Sequence, residues 1–203
     1  MPSRNVIKID IPNSYYHVYA RGASRKTIFI EDEDFDYFLG LFHRYLSHEE
    51  ATNSVGLPYE KLYGVVELLA YCLMGNHFHL LIYQKEEGAM PRFMRGVMTS
   101  YSRYFNKKYD QSGSLFETRY KASRISSDEY LMHISRYIHL NPDDWKKYPY
   151  SSVRSYQDGD GPDWLNDKRM LELFSSRKSY MDFIEDYKNI RDVYETIKHE
   201  LAN

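Results

Sequence analysis

Cysteine occurs once in the 203 residues, at Cys72, so an internal disulfide and a zinc cage built of thiolates are both excluded. No apolar run reaches 18 residues, which excludes a membrane-spanning helix of the usual length. The stretch M-P-S-R-N-V-I-K-I-D lacks the apolar centre of a signal peptide, and the expectation is a cytoplasmic protein without a membrane partner. Charge of one sign is also missing: 27 basic and 29 acidic side chains leave a formal net charge of −2, so a uniformly basic coat is excluded. Tryptophan is scarce at 2, but tyrosine is abundant at 21, and aromatics make up 16% of the chain. That content, with 42% hydrophobic residues, fits a folded chain rather than a disordered one.

Near-neutrality hides a polarised distribution. Residues 91–125 hold eight bases against two acids, net +6, whereas residues 157–203 hold seven bases against eleven acids, net −4. A polyanion-binding middle and an acidic, solvated tail follow from that asymmetry.

The hydrophobic pattern predicts the elements. S-Y-Y-H-V-Y-A over 14–20 is aromatic and β-branched and stops at Arg21-Gly22, as a strand does. Phe35, Phe38, Leu39, Phe42 and Leu46 form an amphipathic stripe over 32–49, after the acidic opening Asp32, Glu33, Asp34. Two apolar runs, 65–74 and 77–83, flank Gly75-Asn76, which reads as a two-residue hairpin. A second helix is expected over 90–109, a short strand over 119–125, and a third helix opened by Ser126 and Glu129 as a capping box and closed at Asn141 by Pro142. The order β-α-β-β-α-β-α predicts an α+β, ferredoxin-like antiparallel sheet with helices packed on one face. After the loop run Asp158-Gly159-Asp160-Gly161-Pro162, residues 167–201 read as helical. The expected division is a domain over 1–156 and a helical C-terminal extension over 157–203.

Chemistry concentrates in Y-C-L-M-G-N-H-F-H-L-L-I, residues 71–82. His77 and His79 are two apart on a strand, so both point to one face with Cβ atoms roughly 6.6 Å apart, and both imidazoles can reach one divalent ion. Any His-x-His strand has this spacing, including a pair on a solvated face. On the third helix, Tyr137 and Asn141 are four apart and share a face. That spacing suits a reactive phenol beside a metal-binding amide, and equally an interface tyrosine beside a helix-capping amide. His17 reads as structural, His139 as solvent-facing, and Cys72 as a buried small hydrophobe.

The ordered series Y-Y-H-V-Y-A-R-G, N-H-F-H-L-L-I, S-R-Y-F-N, G-S-L-F-E-T-R-Y-K, Y-I-H-L-N-P and Y-S-S-V-R-S-Y resembles the REP-associated tyrosine transposases, within the wider group of HUH single-strand DNA transposases. The resemblance covers roughly residues 14–156. It implies that His77, His79 and Asn141 bind a metal, Mg²⁺ or Mn²⁺. It implies further that Tyr137 is the nucleophile and that a hairpin with flanking single-stranded DNA is cleaved and rejoined through a 5′-phosphotyrosine. The protein would then be cytoplasmic and nucleoid-associated, and both a monomer and a homodimer remain open. Where the family usually continues V-R-A-G after Asn-Pro, this chain has Asp143-Asp144-Trp145-Lys146. Absence of a G-x-x-x-x-G-K-[ST] loop fits a reaction that needs no ATP.

The net +6 segment supplies the expected DNA contacts: Arg92, Arg95, Arg103, Lys107, Lys108, Arg119, Tyr120, Lys121 and Arg124. Tyr104, Tyr109 and Phe116 interleave with these bases and could stack on exposed bases of DNA, whereas Tyr101 and Phe105 read as core. Two alternatives stand beside the enzyme: a hairpin-binding module without cleavage, and another HUH nuclease such as a replication initiator.

Overall fold

Alternation along Ser14–Arg21 builds β1, burying Tyr16, Val18 and Ala20 on one face and turning Tyr15, His17, Tyr19 and Arg21 to the other. The structure, a computed structural model, describes residues 10–186. The remaining elements are α1 (Asp32–Leu46), β2 (Val66–Met74), β3 (His77–Gln84), α2 (Ala89–Lys108), β4 (Lys121–Ile125), α3 (Asp128–His139), α4 (Val153–Asp158), α5 (Asp167–Leu171) and α6 (Arg177–Glu185). The four strands form one antiparallel sheet in the order β2-β3-β1-β4, the ferredoxin-like order expected from the element sequence.

Helices α1 and α2 lie against the face carrying Tyr16, Val18, Phe78, Leu80 and Ile82, and bury Phe38, Phe42, Phe93, Val97 and Tyr101 there. Asp34 starts α1, accepting from the backbone N–H groups of Ile30 at 2.8 Å and Glu31 at 3.1 Å. Those bonds satisfy donors just ahead of the first turn. Gly22 joins β1 to this layer. Its N–H donates to the Asn76 carbonyl at 2.9 Å, and the Gly75 carbonyl accepts from Ile28 and Phe29.

The expectation of helices on one face holds for α1 and α2, and the other face is covered too. There Leu69, Ala70, Cys72, Leu81 and Ile125 pack with Leu131, Ile134 and Ile138 of α3 and with Tyr156, Met170, Tyr180 and Ile184. A register slip between Leu68 and Ala70 against β3 turns Leu69 and Ala70 consecutively into this second core. That is the action of a bulge, which side-chain alternation cannot foretell. Residues 150–152 cover the β2 edge, with Leu73 N–H donating to the Tyr150 carbonyl at 2.9 Å and Ser152 N–H to the Tyr71 carbonyl at 3.0 Å.

Several local expectations shift. Helix α3 is capped by Ser127, whose hydroxyl accepts from Tyr130 N–H, not by Ser126, and it ends at His139 with Leu140 as its cap. The helical reading of 167–201 resolves into α5 and α6 with a break at Ser176, which caps α6. Tyr187, Ile190, Tyr194, Ile197 and Leu201 of that reading lie outside the described residues. The described part of the 157–203 extension shares the second core through Met170, Tyr180 and Ile184. His139, expected in solvent, is fully buried by α6. Its Nδ1 meets the Tyr180 hydroxyl and its Nε2 the Ser152 hydroxyl, each at 2.7 Å.

Candidate active site

The second face of the sheet collects the chemistry. Register places Arg21 opposite His77, Tyr19 opposite both His79 and Lys121, and His17 opposite Ser123, so all of these side chains share one side. Helix α3 lies over that side, anchored by Leu131, Ile134 and Ile138, and this docking aims Tyr137 and Asn141 at the strand histidines. The Tyr137 ring sits edge-on at 5.2 Å from the His79 ring and 5.9 Å from the His17 ring, between centroids. The Asn141 Oδ1 atom is 3.3 Å from His77 Nε2.

On each histidine Nδ1 is engaged by a partner on the outer side. His77 Nδ1 lies 2.6 Å from Asn76 Oδ1, and His79 Nδ1 lies 2.9 Å from His17 Nε2. The two rings stand 5.1 Å apart at 86°. His79 points away from the α1–α2 core as expected, yet it is only 5% exposed because α3 roofs it.

Burial keeps the imidazoles neutral. Desolvation lowers His77 from its ordinary pKa, Asn141 opposes that shift, and the Arg21 charge adds to it. His79 is held well below its ordinary value by burial first, then by the fields of His17, His77 and Arg21. Burial alone brings His17 down to about 3. Neutral imidazole is the form that ligates metal.

Among the described residues, no group of three or more His, Cys, Asp or Glu is arranged to hold a metal ion. A divalent ion held by His77 and His79 would find a further protein donor in the Asn141 carbonyl oxygen, 3.3 Å from His77 Nε2. The donor set fits that role. Asn76 can take the Nδ1 proton of His77, which leaves a lone pair on Nε2 beside Asn141 Oδ1. Two imidazoles and an amide oxygen suit a borderline divalent ion and leave coordination positions open to a phosphate.

The expected DNA contacts do not form one patch. Arg95, Arg103 and Arg119 line a groove of about 740 Å³ between α2 and residues 114–120, with Tyr120 in its wall. That groove borders the helix of the opposite layer, away from the histidines. Arg103 also borders a depression of about 680 Å³ with Lys107 and Lys108. Lys108 is neutralised by Glu33 at 2.8 Å, Asp34 at 2.9 Å and Glu31 at 3.3 Å, and Arg92 by Glu60 at 2.7 Å. Lys121 stands on the histidine side, 5.8 Å from the centre of the Tyr19 ring, whereas Arg124 pairs with Tyr16 and faces the other way. Arg95, Arg103, Lys107, Arg119 and Arg124 are exposed and enter no ion pair among the described residues.

The stacking role expected of the interleaved aromatics is not available to most of them. Tyr120 and Phe116 are buried, Tyr104 stacks on Tyr37 at 3.9 Å, and the Tyr104 and Tyr109 hydroxyls donate to Asp34 at 3.0 and 2.8 Å. A helix with bases on its outer face still turns its aromatics inward.

Sequence reasoning missed three members of the site: His17, Asn76 and Arg21. The alternation of β1 placed His17 off the first core, but only strand pairing shows which histidine it meets.

Residues 59–141 match the family model described as transposase IS200 like. Among solved structures, one described as a REP-associated tyrosine transposase bound to a REP hairpin aligns with 79% of this chain and 90% of its own at 16% identity, with a TM-score of 0.53. Another, a candidate transposase from Deinococcus radiodurans R1, covers 64% of this chain and 91% of its own at 15% identity, with a TM-score of 0.38. No curated protein matches.

Proposed function

Residues 59–141 match the model of the IS200-like transposases, the fold is similar to that of a REP-associated tyrosine transposase, and from that premise we propose that the chain cleaves and rejoins single-stranded DNA at hairpin elements through Tyr137. The observation that carries the reading is convergence. His77 Nε2, His79, Asn141 Oδ1 and the Tyr137 ring meet on one sheet face, although His77 and Asn141 are 64 residues apart along the chain.

His77, His79 and Asn141 would hold one divalent ion, Mg²⁺ or Mn²⁺, which when bound supplies charge neutralisation at the scissile phosphate. Arg21, level with His77, and Lys121, level with Tyr19, place two further cations on the same side for neighbouring phosphates. The Tyr137 oxygen attacks phosphorus. A tyrosyl O–P bond forms, the P–O3′ bond breaks, and the proton given up by the phenol is balanced by the one gained at the 3′-oxygen. Attack by that 3′-hydroxyl on the phosphotyrosine reverses the step and rejoins the strand, so the bond energy is conserved. Free tyrosine has a pKa of about 10, so attack near neutral pH would draw on the charge of a bound divalent ion or on a hydrogen bond to favour the ionised phenol. The α2 groove with Arg95, Arg103 and Arg119 would take the hairpin stem by its backbone.

The test is a covalent adduct between the protein and labelled hairpin DNA in Mn²⁺. Tyr137→Phe should abolish the adduct and leave hairpin affinity near that of the parent. Adduct formation by the Phe variant would assign the chemistry to another tyrosine, and hairpin binding by the parent without any adduct would leave a binding module.

A further inference from the structure

We propose that His17 is a positioning residue for the metal centre: it accepts the Nδ1 proton of His79 on its own Nε2, and so presents His79 Nε2 to the ion. The inference rests on the metal reading above and concerns which nitrogen ligates and what holds it there.

Two observations carry it, and a third bears on where the His17 proton sits. The His79 Nδ1 to His17 Nε2 distance is 2.9 Å, with the rings nearly parallel at 22°, so one of the two nitrogens carries the shared proton. The other histidine is arranged the same way, since His77 Nδ1 meets Asn76 Oδ1 at 2.6 Å and its Nε2 meets Asn141. Both histidines therefore have Nδ1 tied to an outer partner and Nε2 left for the centre. An outer hydrogen bond of this type fixes the tautomer of a ligating histidine and raises its basicity.

The third observation is a pair of buried polar atoms that find no hydrogen-bond partner: His17 Nδ1 and Ser123 Oγ. They belong to directly opposed residues of β1 and β4 on one sheet face. If His17 accepts on Nε2 and stays neutral, its own proton must sit on Nδ1. That makes Nδ1–H a donor on the strand position opposite Ser123, and the two atoms are not hydrogen-bonded to each other as the side chains stand. Both rings remain neutral throughout, and no proton leaves the pair.

The opposite assignment puts the shared proton on His17 Nε2 and a proton on His79 Nε2, which would block that nitrogen as a ligand. Metal loading and this second tautomer exclude each other, so the centre requires His17 as an acceptor.

Two measurements test this on the full chain. Long-range ¹H–¹⁵N spectra with Zn²⁺ as a diamagnetic probe should show protons on Nδ1 of both His79 and His17, with His79 Nε2 shifted by the metal. Ligation through His79 Nδ1, or a proton kept on His79 Nε2, overturns the proposal, and this needs no variant to fold. Titration calorimetry with Mn²⁺ should show His17→Phe weakening affinity by about ten- to a hundredfold, the range for lost outer partners. His17→Gln, whose amide oxygen can accept the same proton, should recover most of that loss. Parental affinity in His17→Phe overturns the proposal while leaving the adduct chemistry intact. A parent chain that binds no Mn²⁺ overturns both this proposal and the metal reading.

Discussion

Gly22→Ala separates backbone preference from packing at the junction that holds the site. Gly22 has φ −59° and ψ 141°, a conformation any residue adopts, so on backbone grounds alanine should stabilise by about 0.4–1 kcal/mol through the unfolded chain. Packing says the reverse. A Cβ there would lie 2.2 Å from the Lys26 carbonyl oxygen and 2.7 Å from Ile28 Cγ2. The first of these neighbours is backbone and cannot rotate away, so the 22–26 turn must open. Overpacking of this kind costs about 1–3 kcal/mol, which leaves a net loss of about 1–2 kcal/mol after the unfolded-state gain. For a chain of this size that lowers Tm by roughly 2–8 °C. The site should loosen with it, because Gly22 N–H holds the carbonyl of Asn76, whose side chain meets His77. Thermal denaturation beside Mn²⁺ titration measures both effects. Gly40→Ala is the control: it lies within α1 with nothing within 4 Å of its Cβ, and should gain up to about 1 kcal/mol. A Gly22→Ala protein as stable as the parent, with unchanged metal affinity, would refute the reasoning.

Tyr180→Phe removes the hydroxyl that meets His139 Nδ1 at 2.7 Å in a fully buried setting, and should cost about 1–3 kcal/mol in urea denaturation. Burial pushes the Asp34 carboxyl up, but Lys108, the Ile30 and Glu31 N–H groups and the Tyr109 hydroxyl together hold it below its usual 3.8. Because the folded pKa is the lower one, its stabilisation is present above about pH 4 and is lost as pH falls through the folded value. Asp34→Asn should flatten the acid limb of the stability profile, and an unchanged limb would remove Asp34 from that account. Replacing both Arg103 and Arg119 with Ala should weaken hairpin binding and reduce the log–log salt slope by about 1.8, at about 0.9 for each duplex phosphate of the stem. An unchanged slope would move the DNA off the α2 groove.

Much of this protein is legible before folding is considered, wherever the determining contacts are local. The strand–helix order follows from apolar periods along each segment, and the Gly75-Asn76 turn marks its hairpin. His77 and His79 share a face because strand side chains alternate, whereas the expected helical i, i+4 relation of Tyr137 and Asn141 is not realised, because α3 ends at His139 and Asn141 lies just beyond its cap. Their meeting was anticipated only through family resemblance, since spacing on β3 says nothing of where α3 docks. The tertiary structure decided what local pattern cannot carry. It roofed His79 with α3 and buried His139 under α6, 41 residues from its Tyr180 partner. It slipped β2 at Leu69, and it divided the basic segment between two sides of the sheet. Pairing β1 with β3 brought His17 to His79 across 62 residues. Each of these depends on which surfaces bury each other, a long-range choice that no residue announces from its neighbours in the chain.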